Sequence, residues 1–183
     1  MRKILLLVLI LACVGTFFSC NTATPNEIFS IAVLNANMLH GFAGEGMNRQ
    51  LESPGVKLVK GSNTQTEDLP RMELIETKIQ FLEDAMAKIK KLPRDGDAKD
   101  IVHASIALYE FALPVYKSEY LQLAQLYDSG AGAEQTVAFA NSLNDKYYPR
   151  FEALHQNLTT AGKDYALRHK IDVQWDVSTS PRN

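Results

Sequence analysis

Cysteine is scarce in this 183-residue chain. The only two, Cys13 and Cys20, stand near the beginning, so residues 21–183 contain no thiol. That absence excludes disulfide frameworks, thiolate metal sites, c-type haem attachment and cysteine nucleophiles from most of the chain. The fold must therefore depend on an ordinary hydrophobic core, and the chain is long enough to form one.

Neither sign of charge dominates the sequence. The chain has 19 Lys or Arg residues and 21 Asp or Glu residues. It contains no long run of positive charge, the feature that attracts nucleic acid or anionic lipid. We therefore expect no nucleic-acid partner.

Motifs that carry catalysis are also missing. The chain has no P-loop, no G-x-G-x-x-G and no G-x-S-x-G. The histidines, His40, His103, His155 and His169, show no paired ligand spacing. We therefore predict no cofactor, no metal site and no enzyme activity.

One pair of residues keeps a metal-binding bundle enzyme open as a remote alternative. Glu152 and His155 have the spacing that ferritin-like di-iron bundles use, but such sites need two of these pairs and two further glutamates. The nearest second pair, Asn37 and His40, has an amide where a carboxylate is required. We favour the interpretation that Glu152 and His155 are surface polar residues of a long helix.

The one long apolar run stands at the beginning of the chain. Arg2 and Lys3 precede residues 4–18, which are apolar apart from Thr16. This order is typical of a secretory signal peptide. A run of 15 residues is short for a bilayer core, which takes about 20 residues of helix, so a retained transmembrane helix is the less favoured alternative.

The run ends at Phe17-Phe18-Ser19-Cys20, which resembles the lipobox of bacterial lipoprotein precursors. The resemblance implies cleavage before Cys20, a diacylglyceryl group on its sulfur and acylation of the new amine. Asn21, where retained lipoproteins have aspartate, implies sorting to the outer membrane. A rival box ending at Cys13 would leave the apolar residues 14–18 on the mature protein, so we set it aside.

Removal of the predicted signal peptide defines the mature protein. The mature protein would have 17 basic and 21 acidic residues, the balance of a mildly acidic exported domain. Its length suits one domain. We predict a lipoprotein signal peptide over 1–19, a lipidated tether over 20–26, a helical domain over 27–177 and a disordered tail over 178–183.

Apolar residues recur every three or four positions over four segments, the spacing of amphipathic helices. The first predicted helix begins near Pro25 and ends or bends at a glycine cluster, 41–46. A long connection, 52–67, leads to the second predicted helix. Asp68 is the predicted N-cap of that helix, with Pro70 in its first turn.

Each of the two longer predicted helices contains a proline. The third is expected to be capped by Asp97 and kinked at Pro114. The fourth runs from about Glu134 to Lys170 and is expected to kink at Pro149. The kinks could match and bend the two helices together.

The C-terminal segment changes period. Apolar and polar residues alternate over 171–177, which predicts a strand or an extended segment laid on the helices, with Val56–Val59 as its only obvious partner. The complete prediction is an all-α, up-down-up-down four-helix bundle with a short extended C-terminal tail. Beyond the signal, the chain loosely resembles uncharacterised all-helical surface lipoproteins of Bacteroidetes and spirochaetes, a likeness that implies no function.

All seven tyrosines fall in the third and fourth predicted helices. One interpretation is an aromatic groove for a ligand, and the favoured alternative is core packing at regular seam positions. The candidate ligand-binding residues are Tyr109, Tyr116, Tyr120, Tyr147 and Tyr148.

We expect a membrane-anchored exported lipoprotein of the cell envelope that acts as a non-catalytic interaction or binding module. The alternative is a periplasmic or surface small-ligand binder that uses the tyrosine-lined groove. Expected partners are the membrane, through lipid on Cys20, and an envelope protein or small ligand.

Overall fold

The structure is a computed structural model that describes residues 23–175. The predicted signal peptide 1–19, the lipid-bearing Cys20 and the predicted disordered tail 178–183 lie outside the described residues. Residues 21, 22, 176 and 177 lie outside them as well. None of the helices within residues 23–175 is both long enough and apolar enough to cross a membrane.

Helix α1 (Pro25–Ala32) begins at a reciprocal cap. The hydroxyl of Thr24 accepts from the Glu27 amide at 3.3 Å, and the Glu27 carboxylate accepts from the Thr24 amide at 2.7 Å. This capping box, with proline in the first turn, explains why the helix begins there. A 3-10 helix (Leu34–Leu39) and α2 (Glu45–Glu52) follow.

The predicted break at the glycine cluster is confirmed, and its cause is close backbone packing. Gly41 has φ +81°, and a side-chain carbon on Gly46 would lie 2.9 Å from the Gly41 Cα. The left-handed conformation favours glycine at position 41, and the short approach requires glycine at position 46. The first predicted helix is therefore divided between α1, the 3-10 helix and α2.

The connection after α2 contains an antiparallel hairpin. Strand β1 (Val56–Leu58) pairs with β2 (Thr66–Asp68), and Lys57 lies opposite Glu67. The prediction that Val56–Val59 pairs with the C-terminal segment is wrong. A local turn forms instead, in which the Ser62 hydroxyl accepts from the Gln65 amide at 2.8 Å, and local pairing closes a much shorter loop.

Helix α3 (Arg71–Ile89) begins three residues later than its predicted cap. Asp68 lies in β2 and makes no capping bond. The carboxylate of Asp128, far along the chain, accepts from the amides of Arg71 and Met72 at 3.0 and 2.9 Å. The predicted cap is therefore wrong, because a tertiary contact supplies the acceptor that the local residue was expected to provide.

The third predicted helix is divided after its proline. Helix α4 (Lys99–Val115) gives way to a π-helix (Tyr116–Tyr120), and α5 (Leu121–Asp128) follows. Pro114 has no N–H for the helix ladder, and wider π turns are one way that helices accommodate such a defect. The predicted cap at Asp97 is wrong as well, since it lies in a 3-10 turn and makes no capping bond.

Helix α6 (Ala133–His169) matches the fourth predicted helix closely and continues through Pro149. It ends at Lys170, a left-handed residue with φ +54°. The Ile171 amide then bonds to the Ala166 carbonyl at 2.9 Å, the bond of a Schellman motif. Residues 171–175 alternate between half-buried and exposed and pack on the core, so the predicted extended segment laid on the helices is confirmed for those residues.

The described chain is predominantly helical, as predicted for an all-α protein, with the small sheet as an addition. Helices α4 and α6 run antiparallel. Asp97 forms an ion pair with Arg168 at one end, and Glu119 forms one with Lys146 farther along. Helix α3 is antiparallel to α4 and α5, as the ion pairs Lys90–Glu110 and Arg71–Asp128 show. One continuous core lies between these elements.

Candidate functional site

The five candidate tyrosines differ widely in exposure. Tyr109, Tyr116 and Tyr120 are buried in the core, Tyr147 is half-buried, and Tyr148 is 45% exposed. The buried side chains belong to α4 and the π-helix, whereas the most exposed one, that of Tyr148, belongs to α6. The structure therefore places the side chains of three of the five in the core, closed to solvent.

The hydroxyls of these tyrosines bond to the protein itself. Tyr109 donates to the Asn35 carbonyl at 2.7 Å, and Tyr120 accepts from the Ala43 amide at 2.8 Å. Tyr147 donates to the Glu119 carboxylate at 2.7 Å. Three of the candidate residues thus tie α4, the π-helix and α6 to their neighbours.

Burial sets the protonation of the core tyrosines. It raises the pKa of Tyr109 and Tyr116 well above their ordinary value, and it raises the pKa of Tyr120 to about 12. These phenols stay neutral at physiological pH. They serve as hydrogen-bond partners and as apolar surface in the core.

The ferritin-like pair lies on α6, where Glu152 is half-buried and His155 is exposed. The ring of His155 packs near that of Phe151, and His40 is a neighbour. Burial of part of its ring, and then the His40 charge, lower the pKa of His155. Within residues 23–175 no three His, Cys, Asp or Glu side chains converge as metal ligands do.

A groove lies beside Pro114. It measures about 520 Å³ and lies between α3 and α4, with Met86, Leu113 and Pro114 as its apolar part. Lys90 and Lys117 stand at its rim, bonded to Glu110 and Glu83. The sequence also pointed to the region of Pro114, but for a groove between the third and fourth predicted helices.

The hairpin has the reverse of the usual arrangement, with apolar side chains exposed and a charged side chain turned inward. Val56 and Leu58 are 62% and 57% exposed, whereas Lys57 turns toward the protein and bonds to Glu67 and Glu73. Those bonds raise the pKa of Lys57, with the Glu73 bond as the largest cause. The hairpin is thus attached by charge and presents its apolar side chains to solvent.

The two ends of the described chain meet at one end of the fold. The Trp175 ring packs edge-on against Phe29, with centroids 6.0 Å apart. A side-chain carbon on Gly162 would lie 3.2 Å from both Trp175 and Val33, so the absence of a side chain there makes this contact possible. Lys163 lies over the same tryptophan, 5.6 Å from the ring centroid.

A cluster of charges closes the same end. Asp97 accepts from the Arg168 guanidinium at 2.8 Å and bonds to His169. Burial acts to raise the pKa of Asp97, but the bonds to His169 and Arg168 outweigh it and leave the pKa lowered. A smaller cavity of about 240 Å³ lies beside this cluster, lined by polar residues that include Asp100, Asp164 and Arg168.

The chain matches no family model, no curated protein and no solved structure. Its function has to be argued from its own residues.

Proposed function

We propose that the protein is an exported bacterial lipoprotein, held at a membrane by acyl groups on Cys20, whose domain acts as a non-catalytic interaction module of the cell envelope. The observation that carries this proposal is the sequence that ends in Ser19-Cys20 after a charged start and a single apolar run. Two or more acyl chains are needed for stable attachment, and the lipoprotein terminus has three. By resemblance, Asn21 favours the outer membrane.

The arrangement of the domain suits an anchored module. We infer an up-down-up-down bundle in which α1 with α2 forms the first member, α3 the second, α4 with α5 the third and α6 the fourth. The antiparallel pairs at Asp97–Arg168 and Arg71–Asp128 support this arrangement. It leaves the start of α1 and the hairpin at opposite ends, about 27 Å apart along α3.

The test of the anchor is the mass of the protein recovered from bacterial membranes, beside a Cys20→Ala variant. We expect a protein that begins at residue 20 and carries three acyl chains. The variant should lose this mass and leave the membrane fraction. An unmodified wild-type protein in the soluble fraction would contradict the proposal.

The groove beside Pro114 supports a second candidate function, the binding of a small apolar ligand. Ligand pockets are mostly apolar and contain a few polar or charged groups. This groove likewise combines an apolar floor with two ion-paired lysines. An anionic naphthalenesulfonate dye provides the probe. Leu113→Glu should abolish dye binding and Phe81→Glu, an exposed apolar control on α3, should not. Equal binding by both variants would exclude the groove.

A further inference from the structure

The end of the domain where residues 23 and 175 lie has a constrained position once Cys20 is acylated, and the inference that follows rests on that proposed function. Cys20 is joined to Thr24, the cap of α1, by four Cα–Cα steps, which span at most about 14 Å. The domain cannot be farther than that from the lipid surface at this point. Whichever residues surround the start of α1 therefore face the membrane.

Contacts along α6 identify those residues. Phe42 stacks on Phe151, and Val33 lies at Gly162, so the chain from α1 onward runs antiparallel to α6. Continuing that alignment brings Pro25 beside the last turn of α6. The Phe29–Trp175 contact joins the segment after α6 to the same place.

The turn between α3 and α4 belongs to this end as well. Asp97 bonds to Arg168 and His169 in the last turn of α6. We name the group formed by residues 24–34, 88–103 and 159–175 the terminal end. The hairpin lies away from it, at the beginning of α3.

An exposed apolar residue stands on the outer face of the terminal end. Leu167 is 81% exposed, the highest value among the exposed large apolar residues of the described chain. Lys163 and Asp164 lie one turn before it on α6, and Lys170 follows three residues after it, immediately past the end of the helix. An apolar side chain between two lysines, with a tryptophan beside one of them, is the composition of a membrane interface.

Charge is distributed unevenly between the terminal end and the rest of the fold. The terminal end has eight Lys or Arg residues and six Asp or Glu residues, whereas the remainder of the described chain has eight and fourteen. The eight basic residues come from two of the three segments, 88–103 and 159–175, which are far apart along the chain. Folding collects them, and an anionic surface would attract this end and repel the other.

We propose that the terminal end docks on an anionic lipid surface, with Leu167 inserted among the headgroups and Lys163 and Lys170 beside lipid phosphates. The acyl chains bring the domain to the bilayer, and this contact fixes its orientation. The hairpin with Val56 and Leu58 then points away from the membrane. The occupant of the patch is lipid, in preference to a protein partner, because the short tether leaves too little room for one.

The experiment uses the acylated mature protein on vesicles of phosphatidylcholine and phosphatidylglycerol. Since the mature chain has no thiol other than Cys20, Leu167→Cys provides a unique site for a nitroxide label, and Leu58→Cys on the hairpin is the matched control. Relaxation by oxygen, which concentrates in lipid, is compared with relaxation by a water-soluble nickel chelate. We expect a several-fold higher oxygen-to-nickel ratio at Leu167 than at Leu58.

Charge variants test the second half of the proposal. Lys163→Glu combined with Lys170→Glu should return the Leu167 label to a water-like ratio, whereas Lys60→Glu on the hairpin should not. Equal ratios at the two labels, on protein that is acylated and floats with vesicles, would overturn the docking surface alone. A label shielded from both relaxants without vesicles would indicate a protein contact and overturn it too. Protein that lacks acyl groups would instead contradict the proposed function.

Discussion

At the scale of single residues, the fold depends on a few long-range hydrogen bonds that no local pattern reveals. Ala43 has a left-handed φ of +48° and is buried, so its amide needs a partner that its own segment does not provide. Tyr120, distant along the chain, supplies the acceptor. The regular spacing of Tyr120 predicted a core position, but the backbone amide that it would satisfy could not be predicted.

Removal of the Tyr120 hydroxyl should destabilise the protein. Tyr120→Phe leaves the Ala43 amide buried without an acceptor, a change that costs about 1–3 kcal/mol. Urea unfolding followed by circular dichroism measures the change in free energy. Tyr148→Phe, at an exposed tyrosine, should change it by no more than about 0.5 kcal/mol. Similar values for both variants would show that the hydroxyl contributes nothing.

At the scale of elements, the sequence located the helices well and their caps poorly. The bounds of α6 were predicted to within a residue at each end, because its apolar period continues without interruption between two glycine-rich or polar segments. The cap of α3 was predicted at Asp68, which is the best local candidate. The true acceptor, Asp128, becomes a neighbour only when α5 packs beside α3.

The two aspartates offer a direct comparison. Asp128→Ala removes the acceptor of two α3 amides and the partner of Arg71, so we expect a loss of about 1–2 kcal/mol in the free energy of unfolding. Asp68→Ala should change it by no more than about 0.5 kcal/mol, since that exposed side chain caps nothing. Chemical unfolding of both variants under one set of conditions provides the measurement. A larger loss from Asp68→Ala would mean that the local cap dominates.

The outward-facing apolar side chains of the hairpin could not be predicted from its sequence pattern. Its alternation of apolar and charged residues normally indicates that the apolar side faces the core. Here Lys57 faces inward because Glu67 and Glu73 both reach it, and Val56 and Leu58 face outward. The face that a short strand buries depends on charges outside it, which a pattern within the strand does not contain.

At the scale of the whole molecule, several titrating groups act in the same direction. The pKa values of Glu119 and Asp97 are lowered, for Glu119 chiefly by the bond from Tyr147. A carboxylate with a lowered pKa contributes stability above its unfolded value and loses it as pH falls through the folded value. His155, lowered by burial, is also less readily protonated in the folded protein, so acid favours unfolding there too.

The protein should therefore lose stability as pH falls, first below about 6.5 through His155 and then below about 4.5 through the carboxylates. Urea midpoints measured from pH 7.5 downward test this order. His155→Gln should flatten the upper part of the curve and leave the acid part unchanged. Parallel curves for the variant and the wild type would show that His155 does not contribute.

The contact between Phe29 and Trp175 also sets the order in which the molecule can be completed. Chains are synthesised from the N-terminus, and contacts between distant residues form slowly because a long loop has to close first. Helix α1 is made before the other described helices, yet its neighbours at Gly162 and Trp175 belong to α6 and to the segment that follows it. The first helix of the domain therefore waits, without these partners, until α6 and residues 171–175 have been made, and those elements close the described fold.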